Sequence, residues 1–263
     1  MAINLGKGVI ALLCLGALLL PHGLPEISSF SLIILGLSGL LGICFGDTLY
    51  FLTLSRLGPR LTLLLGALIP VTTALLAVVL LQEMVPLPAW LGIGLTIIGV
   101  TYVLWQRTAD EGGIEAWRSG LFFGLLFVVA NALGIITAKM GVEEMPALDA
   151  TFIRQAWAIA ALTFWGLMVR DLLGWVRPLA DKKVIKIMFS AAIIGGFLGT
   201  WFSIMALKYT HAAVAATLNS TSPLFILPLA AIFLKERIRS HEVWGAVTAV
   251  AGVGIYFGSL GMG

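Results

Sequence analysis

The chain has 263 residues, of which 60% are hydrophobic and 11% charged, with a mean hydropathy of +1.05. A soluble domain carries about 25% charged residues, so this composition excludes an ordinary soluble globule and indicates an all-α, polytopic membrane protein. The net charge of +3 would suggest nucleic acid in a soluble chain, but here the basic residues gather in short connections, where they orient helices in a bilayer.

A membrane-crossing helix needs about 20 apolar residues. Nine stretches qualify, near 4–20, 30–55, 61–81, 88–105, 119–138, 150–169, 187–207, 212–234 and 242–259. The first carries a lysine, an apolar run and then Pro21, the outline of a signal-peptide core. It lacks a small-residue cleavage site and falls in register with the rest of the chain, so it reads as a membrane helix. The second stretch contains Asp47, with Tyr50 one turn on. The third contains Pro70 and ends near Glu83. Gln106 to Arg118 is polar, holds two glycines and reads as a linker. Asn131 is central in the fifth stretch, and Arg154 and Gln155 open the sixth. Arg170 to Lys186 carries Trp175 among basic residues and reads as an interfacial segment. The segment from Thr217 to Glu236, which takes up most of the eighth stretch, opens with Thr217, Asn219, Ser220, Thr221 and Ser222, meets Pro223 and then runs apolar. Proline removes a backbone hydrogen bond, and lipid penalises free hydroxyls, so this half-polar helix should face other helices or a wet cavity.

That eighth stretch occurs twice. At an offset of 153, without a gap, Gly42 pairs with Gly195, Gly46 with Gly199, Pro70 with Pro223, Glu83 with Glu236, Gly92 with Gly245 and Gly99 with Gly252. Matching leucines are cheap in this composition; matching glycines, a proline and a glutamate at one offset are not, and they indicate an internal duplication. Residues 1–105 form the first repeat and 119–259 the second. Equivalent helices are five crossings apart, an odd number, so the repeats should be inverted, the usual construction of a secondary transporter. The offset places the start of the first repeat before Met1, so the first repeat is expected to lack its first helix.

Twelve lysines and arginines fall in the connections after the second, fourth, sixth and eighth stretches, against Lys139 and Lys208 on the other side. This puts Met1 in the cytoplasm and the C-terminus outside.

Intramembrane polar residues are the site candidates. Asp47, with Tyr50, could carry a proton, or Asp47 could pair with Arg56, Arg60 or Lys139. Asn131 could bind substrate or bridge two helices. Asn219, Ser220 and Ser222 match Gly66, Ala67 and Ile69 in the first repeat, a one-sided polarity that favours a substrate contact. Trp201 lies deep enough to line a cavity or to pack between helices. Pro70, Pro223, Glu83 and Glu236 read as structural, the glutamates as helix-end groups. The glycines let helices approach closely. Cys14 and Cys44 sit in apolar runs, and the three histidines are far apart, so neither a disulfide nor a metal site is expected. There is no HExxH, CxxC or phosphate-cradling loop, and no cofactor is expected.

The Ser-Pro segment, the apolar helix ending in Glu and the following helix with Gly245 and Gly252, repeated as Pro70, Glu83, Gly92 and Gly99, resemble the EamA type of the drug/metabolite transporter superfamily over nearly the whole chain. The resemblance implies a helical bundle built from two inverted five-helix halves that moves small metabolites by alternating access. This chain departs from it by one helix. The family is also drawn with both ends cytoplasmic, unlike this charge pattern. The resemblance marks Arg154 for an anionic group or an ion pair, with a snorkelling role as the alternative.

The expectation is a secondary active transporter, an exporter of small organic metabolites, driven by a proton or by exchange. Its multi-pass chain would sit in the plasma membrane, around Asn131, Arg154, Trp201, Asn219, Ser220 and Ser222. The alternative is a transport-inactive or structural membrane protein lacking a helix. Expected partners are a small-molecule substrate and the lipid bilayer, with a homodimer left open and no nucleic acid.

Overall fold

The computed structural model describes residues 2–21, 23, 27–84, 90–91, 94, 97–98, 114–170, 174–175, 185, 188–190 and 192–219. Ser220, Ser222, Pro223, Glu236 and the expected helix at 242–259 lie outside them, as does the side chain of Asn219. The described elements are all helical. They are α1 (Ala2–Leu19), α2 (Ser29–Ser38), α3 (Asp47–Gly66), α4 (Leu68–Leu76), α5 (Ile114–Val142), α6 (Ala147–Met168), α7 (Thr200–Tyr209) and α8 (Ala212–Asn219). The stretches Gly39–Gly46, Ala77–Leu81 and Ala192–Gly199 wind as π-helix.

Among the described residues, five runs are long and apolar enough to cross a membrane: Ala2–Leu19, Ser29–Pro59, Leu61–Leu81, Trp117–Val142 and Met188–Tyr209. The chain is thus an all-α, multi-pass membrane protein. α6 has the length, 22 residues, but is not one of the five. It carries Asp149, Arg154 and Gln155, all buried, and ionisable side chains inside a bundle lower a helix's apolarity where they point at other protein rather than at lipid.

The turn expected after residue 55 is compressed into one glycine. α3 is continuous except at Gly58, whose φ of 75° and ψ of 173° only glycine adopts readily. Pro59 then starts the next helical run, where a missing N–H costs nothing. Thr62 Oγ1 donates to Gly58 O at 2.7 Å and ties the break to the first turn beyond it. The next break is at Ala67, with Pro70 buried in the first turn of α4. The proline therefore marks the start of a helix rather than a kink in its middle.

Two compact units form, and each draws on both sequence repeats. One comprises Met1–Thr48 and Leu133–Thr210, the other Leu49–Ala132 and His211–Gly263. In the first, α6 is the hub: it packs against α1, α2, the π-helical stretch Gly39–Gly46 and α7. α1 also packs along Ala192–Gly199. The buried stripe of α1 is Asn4, Gly8, Ala11, Leu15 and Leu19, a helical spacing that brings small residues to the seam. This helix is therefore built into the bundle.

Contact in this unit is backbone on backbone. The carbonyl of Arg154 fills the space a side chain on Gly39 would need. A Cβ on Gly134 would come within 2.7 Å of Gly42 Cα, and one on Gly36 within 3.0 Å of the Trp157 ring. Ser38 Oγ donates to Gly134 O at 2.5 Å across the same seam. In a bilayer, close packing and interhelical hydrogen bonds must hold helices together, because lipid tails are as apolar as the core.

In the second unit, Leu57, Leu61 and Leu65 pack on Phe127 and Val128. Gly120 and Gly124 of α5 lie beneath Leu57 and Leu65, and an added Cβ at either would clash with those side chains. Arg56 lies over the Phe123 ring, 4.3 Å from its centroid. α8 packs against α4.

The offset of 153 has a conformational counterpart. Residues 39–46 and 192–199 are separated by the same offset of 153 that relates the two repeats, and both wind as π-helix. Such widened turns are rare and recur at functional positions.

Candidate functional site

The polar residues of the first unit converge on the inner faces of three elements. From α1 come Asn4 and Lys7, one turn apart. Asp47 and Thr48 open α3 directly after the first π-helical stretch. Arg154 and Gln155 lie in the first half of α6.

Lys7 Nζ lies 2.5 Å from Asp47 Oδ2, with about a quarter of each side chain exposed. Asn4 is fully buried; its Nδ2 donates to Ile43 O at 3.0 Å and to Thr48 Oγ1 at 3.4 Å. The first of these fixes α1 to the π-helical stretch, where backbone carbonyls are displaced from their α-helical partners. Gln155 Nε2 donates to Gly8 O at 3.3 Å. Gly8 must be small there, because a Cβ would come 2.9 Å from that amide nitrogen and closer still to Ile159.

Arg154 is 8% exposed. Its Nε is buried without a hydrogen-bond partner among the described residues. Its Nη2 lies 3.3 Å from where a Cβ on Gly42 would stand, so the guanidinium occupies room that a glycine leaves. Asp47 is near enough to attract it electrostatically. Asp149 is also buried, but sits in the first turn of α6, where the helix dipole stabilises an acid. The cluster Lys7, Asp47, Arg154 thus holds two cations and one carboxylate.

The partner of Asp47 corrects an expectation. The sequence pointed to Arg56, Arg60 or Lys139. Arg56 instead stacks on Phe123, and Lys139 Nζ donates to Leu207 O and Thr210 O at 2.9 and 3.0 Å; the Arg60 side chain lies outside the described residues. In the sequence Lys7 stood only as the single lysine of the first apolar stretch. The signal for it was its place one turn from Asn4 on a helix whose buried face is otherwise glycine, alanine and leucine.

The other candidates are placed as follows. Asn131 is half-buried in the second unit, and its Nδ2 donates to Phe127 O, one turn back on its own helix, at 3.1 Å. That amide group serves its own backbone rather than bridging to another helix. Tyr50 packs against Phe127 and Phe51, with ring centroids 5.3 and 5.4 Å away. Trp201 stacks on Phe197 and Phe202 in an aromatic ladder along its own chain. Glu83 Oε1 accepts from Ala212 N at 3.4 Å, satisfying one of the orphan donors at the start of α8, with His211 Nδ1 at 3.7 Å. Asn219 closes α8. No group of three metal-ligating side chains occurs among the described residues.

Comparison with known proteins agrees with this architecture. A curated relative from Archaeoglobus fulgidus, described as an uncharacterized transporter, is 28% identical over 224 residues, 84% of this chain and 74% of that one. A crystal structure is similar at a TM-score of 0.64 and 16% identity, covering 97% of this chain and 87% of that chain, a likeness of fold. The model of the EamA-like transporter family matches residues 1–105 and 118–258. This helical membrane chain, matched over nearly its whole length, therefore belongs to the EamA-like transporter family.

Proposed function

We propose that this membrane transporter is a secondary active carrier that exports small organic metabolites across the plasma membrane by alternating access, driven by a proton or by exchange. The observation that carries the reading is the Lys7, Asp47, Arg154 cluster within a largely apolar helical bundle. Ionisable groups in a bilayer are costly, and they are kept where solute or protons pass. The duplicated sequence, with its recurring π-helical stretch, supports a carrier built from two related halves. In this reading Asp47 and Tyr50 serve proton coupling and Arg154 holds substrate. Trp201, Asn131, Asn219, Ser220 and Ser222 enter as substrate contacts on the strength of the sequence.

The test is transport by the purified chain in proteoliposomes, with a panel of labelled metabolites and with or without a pH gradient. Movement that depends on the gradient, or on solute on the far side, is the expected result. If no solute moves under either condition, the carrier reading fails.

A further inference from the structure

We infer that the Lys7, Asp47, Arg154 cluster binds a monoanionic organic carboxylate, held by the guanidinium of Arg154. This rests on the carrier reading above and names the substrate class.

The argument begins with an incomplete set of bonds. Arg154 is more than nine-tenths buried, and its Nε has no hydrogen-bond partner among the described residues. A buried donor left unmade costs the full desolvation of that group, and more when the group is charged. The nearby carboxylate does not fill the vacancy: Asp47 Oδ2 is in direct contact with Lys7 and only attracts Arg154 from a distance. Gly42 supplies the room in which Nη2 sits, since a Cβ there would crowd it at 3.3 Å.

Charge counting then selects the ligand. Among the described residues of the cluster, Lys7 and Asp47 neutralise each other, and Arg154 leaves one positive charge over. A neutral solute would leave that charge uncompensated, and a cation would add to it. A dianion would need a second free cation, and Lys7 is engaged. One carboxylate closes the balance, and its two oxygens match the planar fork of a guanidinium.

The experiment uses the full chain in lipid nanodiscs and follows thermal unfolding at neutral pH. The probes are acetate, hexanoate and benzoate, each against its amide: acetamide, hexanamide and benzamide. At least one carboxylate should stabilise the protein while its amide does not. Arg154→Lys, which keeps the charge but loses the fork, should weaken that carboxylate at least tenfold. Gly42→Ala, which crowds Nη2 without touching any charge, should also weaken it. The inference is overturned if no carboxylate outdoes its amide, or if the Arg154→Lys and Gly42→Ala proteins bind the carboxylate as the parent does.

Proteoliposome uptake with the same probes separates this failure from failure of the carrier reading. Transport of amides or amines with carboxylates excluded sinks the substrate class and leaves the carrier. Carboxylate binding with no solute moved leaves the site and sinks the carrier.

Discussion

Lys139 and Lys208 cap each other's helices. Lys139, near the end of α5, donates to Leu207 O and Thr210 O at the end of α7, and Lys208 of α7 donates to Met145 O at 2.7 Å, just past the end of α5. The last carbonyls of a helix have no intrahelical donor, and a cation there is doubly favourable, through hydrogen bonding and through the helix dipole. The two lysines that stood apart from the other basic residues in the sequence therefore have a structural use. Lys139→Met and Lys208→Met should each destabilise the protein by about 1 kcal/mol. Hydrogen exchange should rise at residues 207–210 in the first variant and around residue 145 in the second. Unchanged exchange at both places would contradict the capping role.

The pair between Lys7 and Asp47 is expected to behave as a unit. Removing one partner leaves a part-buried charge uncompensated, so Lys7→Met and Asp47→Asn should each cost about 2–4 kcal/mol. The double variant should be less destabilised than the sum of the two, a coupling read directly from a double-mutant cycle of thermal unfolding. Additive losses would mean that the two side chains do not interact in the membrane.

Gly42 and Gly195 are equivalent in the sequence but differ in surroundings. A methyl at Gly134, opposite Gly42, would drive into the Gly42 backbone, while one at Gly195 meets nothing within 4 Å among the described residues. Gly134→Ala should cost about 2 kcal/mol through overpacking, and Gly195→Ala should be neutral or slightly stabilising. Melting temperatures of the two variants, compared side by side, decide it.

Gly58→Ala tests the one-residue turn. The backbone there has φ 75° and ψ 173°, a region alanine enters at a cost of about 1–3 kcal/mol. Since nothing crowds a Cβ at Gly58 among the described residues, any loss must come from the backbone. Gly58→Asn should therefore not restore stability through space-filling. A neutral Gly58→Ala variant would show that the turn relaxes in lipid.

Much of the helical layout could be read from apolar length alone. The stretch expected at 61–81 matches the run Leu61–Leu81, and that expected at 4–20 is α1. The stretch expected at 119–138 is longer on both sides, because Glu115, Trp117 and Lys139 continue the helix beyond its apolar centre. Composition cannot see that extension. Of the glycines paired at the offset, Gly42 lies in a close helix approach, while a Cβ at Gly195 would meet nothing within 4 Å among the described residues; Gly39 and Gly134, which the duplication does not single out, make the tightest contacts of the seam around Gly42.

Pairing across helices was not readable in the same way. Asp47 finds its partner 40 residues away, and which turn of α1 faces it is set by how Gly8 and Ala11 seat that helix. The π-helical stretches add a second obstacle. Through residues 39–46 the 3.6-residue period no longer assigns faces, so the side on which Asp47 emerges cannot be counted forward from Ser38. Asn131 shows the same limit within one helix. Its Nδ2 donates to the carbonyl one turn back, a bond that the residue's central position does not reveal.

The seat of Arg154 on Gly39 has a mechanical consequence. Helices slide past one another by letting side chains give way, and here a peptide carbonyl stands where any yielding group would be. α6 and the π-helical stretch that continues α2 meet like a peg in a socket, and neither can shift along the other without displacing main chain.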